Sequence, residues 1–255
     1  MNPSLETRIS AEVLHTERTF VRPDATATAL RAWHFAPATA TTFTDDRLRR
    51  VLNVVLAAIA LLAVSPVMLV VALLVKLSSP GPDIYTQTRV GVDRRNPLDA
   101  YGNGRRKVNY GGKLFPIYKF RTMRPAGDNA AQVWASPNDS RVTAVGRVLR
   151  KYRLDELPQL VKVLRGEMNI VGPRPEQPNI FMQLRGEIDG YDLRQRVLPG
   201  ITGLAQISHH YDSCVDDVRR KLSFDLEYIG RESALEDLRI LLRTVPVILF
   251  RKGAW

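Results

Sequence analysis

Between Val51 and Val75 the chain runs for 25 residues without a charge, VLNVVLAAIALLAVSPVMLVVALLV, and its only polar members are Asn53 and Ser65. As one helix the run would reach about 37 Å, longer than the roughly 30 Å hydrocarbon core of a bilayer. No polar stripe interrupts it, which sets it apart from the buried helix of a soluble protein. A plain membrane-spanning helix is the simplest reading, but two features argue for another. Ser65-Pro66 stands near the middle, where proline removes an intrahelical hydrogen bond and crowds the preceding turn, although spanning helices tolerate such kinks. The flanks carry more weight: Arg47, Arg49 and Arg50 precede the run, and Lys76, Arg89, Arg94 and Arg95 follow it. Short basic flanks stay cytoplasmic, so a span should carry them mainly at one end. Basic residues at both ends predict a re-entrant helix that enters one leaflet, breaks at Ser65-Pro66 and returns to the same face.

Composition narrows what surrounds this anchor. The 255 residues are 45% hydrophobic and carry 37 Lys+Arg against 26 Asp+Glu, a formal charge of +11. These values exclude a disordered charged chain, a collagen-like repeat and a polytopic transporter. A single cysteine, Cys214, excludes an internal disulfide framework and a cysteine zinc site. The positive balance fits nucleic acid, anionic lipid or phosphorylated small molecules, and does not by itself choose among them. Residues 1–45 are rich in Ala and Thr without sustained periodicity, and early charges such as Glu6 and Arg8 rule out a secretory signal. They read as a flexible cytoplasmic tail.

Residues 80–125 are basic and turn-rich, and LFPIYKFRTM within them has strand-like content, so a hairpin is expected there. VTAVGRVLRKYRL predicts a helix with Val145, Val148, Leu149 and Tyr152 on one face. DELPQLVKVLRG predicts another, with Asp155 as N-cap, Pro158 in the first turn, Leu157, Leu160, Val161 and Leu164 as its apolar face, and Gly166 ending it. Residues 214–229 and 234–250 also read as helices. The last is apolar enough, with Arg239 and Arg243, to lie on a membrane surface or to serve as a core helix.

Adjacent carboxylates at a helix start, Asp155-Glu156, commonly cap free N–H groups and complement the dipole. In phosphate chemistry they can do more, one attacking phosphorus while the other holds a divalent metal. VGPRP, Val171 to Pro175, supplies such a context: Pro173 and Pro175 lock the backbone around Arg174, and a fixed guanidinium suits bidentate phosphate recognition. In PGITGLAQ, Pro199 to Gln206, the glycines allow backbone to approach a ligand closely.

Five segments occur in order: KFRTM (Lys119 to Met123), D-x-R-x-T-x-x-GRxLR (Asp139 to Arg150), LDELPQL (Leu154 to Leu160), GEMNIVGPRP (Gly166 to Pro175) and PGITGLAQ. Together with YTQTRVG (Tyr85 to Gly91) and the Ser65-Pro66 helix, they resemble the bacterial sugar transferases, the monotopic polyprenol-phosphate phosphoglycosyl transferases. The resemblance covers about residues 45–255. It implies transfer of a sugar 1-phosphate from a UDP-sugar to undecaprenyl phosphate with release of UMP, as in the start of exopolysaccharide or other surface-glycan synthesis. It implies Asp155 as the nucleophile of a covalent phosphosugar intermediate and Glu156 as its partner, with Mg²⁺ held by Glu156 and Asp155. Substrate-binding roles fall on Arg150, Pro173, Arg174, Pro175, Lys119, Arg121 and Gln206. Larger members add an N-terminal helical bundle, and this chain resembles the compact form. Arg94 to Gly112 is longer than the family's usual link, and His209-His210 replaces a Gly-Arg pair; neither receives a role.

The expected fold is therefore α+β and mainly helical: a tail (1–45), a re-entrant membrane helix (46–78) and a catalytic domain (79–255) on the cytoplasmic face of the bacterial inner membrane. Lipids, a UDP-sugar and undecaprenyl phosphate are the expected partners; dimers occur among relatives. A catalytically silent scaffold of a polysaccharide assembly complex is the alternative. No recognised nucleic-acid motif is present.

Overall fold

In the computed structural model, which describes residues 43–94, 109–124, 139–208 and 215–249, the apolar run lies within one 36-residue helix, α1 (Phe43–Ser78). By length and composition this helix is able to cross a membrane. Ser65-Pro66 does not end it. Pro66 cannot donate to the carbonyl of Leu62 four residues back, and the Ser65 hydroxyl donates to that oxygen instead, at 2.8 Å. A neighbouring side chain thus fills the acceptor that proline leaves, and helical structure continues through the expected break. Most of the tail, most of Arg94–Gly112, His209-His210 and Cys214 lie outside the described residues.

One face of α1 packs along a single body. Ala57, with Ala60, Leu61 and Val64, meets Phe115, Ile117, Leu160, Val163 and Met168. Farther on, Met68, Val71, Ala72 and Val75 meet Ile84, Phe120, Leu149 and Leu154. The opposite face is apolar and exposed, with Leu62, Leu69, Leu73 and Leu77 more than half accessible.

Polar bonds fix both ends of this contact. Arg49 donates to Asp237 at 3.1 Å, to Glu232 at 2.9 Å and to the Tyr228 hydroxyl at 2.9 Å. Arg50 donates to the carbonyls of Val163 and Leu164, at 2.7 and 3.0 Å, where a short helix ends. The Asn53 side-chain oxygen accepts from the Ile170 N–H at 2.6 Å. At the far end Arg121 donates to the carbonyls of Pro82, of Ser79 at 2.6 Å and of Val75 at 3.3 Å. Helix C-termini leave carbonyls without partners, and buried guanidinium groups satisfy them here. Arg49 and Arg50, counted in the sequence as part of the basic flank before the apolar run, are therefore internal ties.

Beyond α1, strands β1 (Ile84–Val90) and β2 (Leu114–Phe120) form the expected hairpin, antiparallel, with Tyr85 opposite Lys119 and Arg89 opposite Phe115. Helix α2 (Ala144–Lys151) is capped by the Thr143 hydroxyl, which accepts from the Gly146 N–H at 2.9 Å. A Cβ at Gly146 would stand 2.0 Å from the Thr122 carbonyl oxygen, so backbone touches backbone there. That approach turns Leu149 inward and leaves Val148 and Tyr152 of the expected apolar face exposed.

The segment expected as a helix capped by Asp155 begins differently. Arg153, at φ 57°, turns the chain through the left-handed region, and a 3₁₀ turn, Leu154–Gln159, runs into α3 (Leu160–Leu164). Asp155 sits inside the first turn and caps nothing. Three residues per turn put the apolar pattern out of phase: Leu160 and Val163 are buried, while Leu157, Val161 and Leu164 are half-buried.

Strands β3 (Asn169–Val171) and β4 (Gly200–Thr202) pair in parallel. Helix α4 (Pro178–Glu187) and a second 3₁₀ turn, Tyr191–Arg196, connect them. Helix α5 (Leu204–Ser208), α6 (Val215–Arg231) and α7 (Ala234–Leu249) complete the described, mostly helical chain. One face of the last helix joins the core, with Ile240 fully buried, while Leu235, Leu238, Leu242, Val245 and Ile248 are exposed.

Candidate active site

Three separate elements deliver the side chains that meet at Glu156. Lys119 comes from the end of β2, two residues past core residue Ile117 on the same strand face. Its amine lies 2.7 Å from Glu156 Oε1. Arg174 comes from the loop after β3 and holds both Glu156 oxygens, at 2.6 Å to Oε1 and 3.2 Å to Oε2. The carboxylate itself comes from the 3₁₀ turn and is 6% exposed. Burial alone would raise its pKa, but Arg174 and Lys119 hold it well below the usual carboxylate range. Arg174 is in turn raised, chiefly by Glu156.

Asp155 differs although it is the neighbouring residue. It is 8% exposed, and among the described residues no hydrogen bond or ion pair reaches its carboxylate. Burial and the Glu156 charge push its pKa up, while Lys119, Arg174 and Arg150 pull it down without cancelling the rise. Arg150, on α2, is steadied by a 2.9 Å bond from its Nε to the Thr122 hydroxyl. Burial also lowers the Lys119 amine, opposed by Glu156 and reinforced by Arg174.

A frame of backbone contacts aims Arg174. Its own carbonyl accepts from Arg194 at 3.0 Å, and the Pro175 carbonyl accepts from Arg89 at 3.1 Å. The Pro173 carbonyl accepts from the Gly200 N–H at 2.9 Å. A Cβ on Gly200 would lie 2.1 Å from the Gly172 nitrogen. The glycines of PGITGLAQ therefore bring two protein loops together, rather than exposing backbone to a ligand as expected. Gln206 belongs to the same loop structure: its amide donates to the Ile201 carbonyl at 2.9 Å.

Of the expected site residues, Asp155, Glu156, Lys119, Arg150 and Arg174 gather in one place. Pro173 and Pro175 act through their carbonyls, Gln206 braces its own loop, and Arg121 caps α1. Arg89 and Arg194 were missed. YTQTRVG contained a signal for the first, since strand alternation puts Tyr85, Gln87 and Arg89 on one face. Arg194 sits in a short 3₁₀ turn with no pattern to mark it, although it also pairs with Asp225 at 2.8 Å.

The family model for bacterial sugar transferases matches residues 44–251. The UDP-glucose:undecaprenyl-phosphate glucose-1-phosphate transferase of Escherichia coli is 42% identical over 210 residues, 82% of this chain and 41% of that one. The UDP-N-acetylgalactosamine-undecaprenyl-phosphate N-acetylgalactosaminephosphotransferase of Aeromonas hydrophila is 40% identical over 207 residues, 81% of this chain and 45% of that one. The exopolysaccharide production protein ExoY of Sinorhizobium fredii is 36% identical over 222 residues, 81% of this chain and 88% of that one. The chain thus spans less than half the length of the first two relatives. With a family match over most of its length, this chain belongs to the bacterial sugar transferases.

Proposed function

We propose that the chain transfers a sugar 1-phosphate from a UDP-sugar to undecaprenyl phosphate, releasing UMP, through a phosphosugar intermediate on Asp155. The observation that carries this reading is the contrast between adjacent carboxylates: Glu156 is occupied by Lys119 and Arg174, whereas Asp155 is surrounded by cations and, among the described residues, bonded to none of them. A carboxylate oxygen of Asp155 bonds to the β-phosphorus as the bond from that phosphorus to the bridging oxygen breaks. UMP leaves with the electron pair. A phosphate oxygen of the lipid then bonds to the same phosphorus, the acyl phosphate bond breaks, and Asp155 returns as a carboxylate. Both nucleophiles are anions, so neither step requires a general base.

Bringing an anion to an anion is the barrier. Lys119, Arg150 and Arg174 offset it from fixed positions, and loss of one such group costs roughly 10²–10³ in rate. Arg174 gives two of its five N–H donors to Glu156, leaving the others for phosphate oxygens. Mg²⁺ fits the donor set, since such an ion takes one or two carboxylates and completes its shell with phosphate and water. Among the described residues the Asp155 oxygens have no partner, and Glu156 Oε2 accepts one N–H where Oε1 accepts from two groups. These two residues would hold the ion, which when bound supplies charge neutralisation to the diphosphate.

Monotopic placement on the cytoplasmic face of the inner membrane belongs to the same proposal. What supports it is that Arg50 and Val75, 25 residues apart and about 37 Å along a helix axis, hold to one body that also carries the site. A bilayer-crossing helix would draw that body, with its exposed charges, into hydrocarbon. Entry from one side instead buries the exposed leucines of α1 and keeps Asp155 near the lipid phosphate. The glycan served is an exopolysaccharide or a related surface polymer. Purified protein given Mg²⁺, undecaprenyl phosphate and a panel of UDP-sugars should release UMP with at least one donor; silence with every donor contradicts the proposal.

A further inference from the structure

Beside the cationic cluster lies a cleft of about 410 Å³ between β1, the turn before β2 and the start of α4. Its chemistry is unlike that of the cluster. Tyr85 and Tyr110 give it aromatic surface, Gln87, Gln177 and Asn179 give it carboxamides, and among the described residues no charged side chain lines it. Such a lining does not select phosphate. It suits a flat, neutral, polar ring: tyrosine faces stack on it, and a carboxamide presents a donor and an acceptor side by side.

Covalent continuity and hydrogen bonds tie the cleft to the phosphate-handling residues. Tyr85 is paired in register with Lys119 across the hairpin, so their side chains are neighbours on one face. Gln87 Oε1 accepts from Arg89 at 2.6 Å, which leaves its amide N–H₂ as the free end. The same Arg89 donates to the Pro175 carbonyl next to Arg174. Gln177 follows Arg174 by three residues. At the opposite wall the Gly111 N–H bonds the Asn109 side chain at 3.1 Å and fixes the turn that carries Tyr110. Tyr85 itself is 48% exposed, leaving ring surface for a ligand.

A nucleoside diphosphate has this layout, a flat neutral ring joined through ribose to adjacent negative phosphates. We propose that the cleft seats the uracil ring of the donor, with Tyr85 and Tyr110 supplying stacking surface and the Gln87, Gln177 and Asn179 amides reading the ring's O–N–H edge. This rests on the UDP-sugar reading above and adds the place from which the leaving UMP is held. A uracil has an adjacent acceptor and donor on its edge, the pattern that a carboxamide complements. The volume exceeds that of one ring, giving room for the ribose.

The test compares donor KM with inhibition by added UMP. Tyr85→Ala should raise the donor KM and the UMP inhibition constant together by about 10-fold, the scale of one lost base–aromatic stack. Tyr85→Phe should restore both, which separates loss of stacking from misfolding. Asn179→Ala should weaken UMP more than CMP, whose ring edge carries a different donor pattern. A donor KM that rises while UMP inhibition is unchanged would assign the cleft to the sugar and overturn the proposal, as would no change in either. If wild-type protein turns over no donor, the transferase reading fails by itself. Calorimetric titration with UMP then decides the cleft: weaker binding in Tyr85→Ala than in wild type upholds it, and equal binding overturns it.

Discussion

Arg174 grips both carboxylate oxygens of Glu156, at 2.6 and 3.2 Å. A buried carboxylate is costly unless paired, and removing one partner of such a pair typically costs about 3–5 kcal/mol. Glu156→Gln and Arg174→Met should each lower stability strongly, while the double variant should lose less than the sum. Double-mutant coupling of about 1–3 kcal/mol in chemical denaturation is expected; additive losses would show that the contact does not organise the site. Because Glu156 is held below its ordinary pKa, its contribution is present above the unfolded carboxylate pKa and disappears as pH falls through the folded one.

Asp155 carries the opposite sign. Burial and its neighbour raise it, so ionising it costs stability as pH climbs from the unfolded carboxylate pKa toward the folded one, and the full cost remains at neutral pH. Asp155→Asn should therefore abolish turnover and yet raise Tm at pH 7, by about 2–4 °C for each kcal/mol regained. The gain should shrink as pH falls. A lower Tm at pH 7 would mean that Asp155 is not a strained, unpartnered group.

Activity should follow the same two groups. The acid limb of kcat/KM should lie above the ordinary carboxylate pKa of about 3.9, because Asp155 must be ionised to attack. The basic limb should fall below the usual lysine pKa of about 10.4, because burial lowers Lys119. Lys119→Arg should extend the plateau to higher pH. An unchanged basic limb in that variant would remove Lys119 from the profile.

The one-sided insertion of α1 is open to labelling. Leu48 and Leu77 lie near opposite ends of the helix and are 51% and 75% exposed. In a Cys214→Ser background, Leu48→Cys and Leu77→Cys should both react with a membrane-impermeant maleimide only after the inner membrane is opened. Labelling of one residue in intact spheroplasts would establish a spanning helix.

Local pattern made some of this legible and long-range pairing hid the rest. The helices expected over 214–229 and 234–250 fall within a few residues of Val215–Arg231 and Ala234–Leu249, because amphipathic spacing is a local property. Asp155, Glu156 and Arg174 stood out because unlike residue types with one chemical use occurred together. By contrast, the tie from Arg49 to Asp237 joins positions 188 apart, and Arg121 reads as a phosphate ligand until the carbonyls of Val75 and Ser79 are seen around it. The 3₁₀ turn at Leu154–Gln159 was hidden because Pro158 and a leading carboxylate suit a helix start equally well. Ser65 offered a visible clue to the continuity of α1, since its hydroxyl is one residue before the proline whose bond it replaces.

The most direct measurement is intact-protein mass spectrometry after brief incubation with a UDP-sugar and Mg²⁺ in the absence of undecaprenyl phosphate. Wild-type protein should gain the mass of one sugar phosphate, mapped by peptide analysis to Asp155, and should lose it when undecaprenyl phosphate is added. Asp155→Asn should gain nothing. UMP release without any adduct in rapidly quenched samples, or an adduct on another residue, would contradict the account.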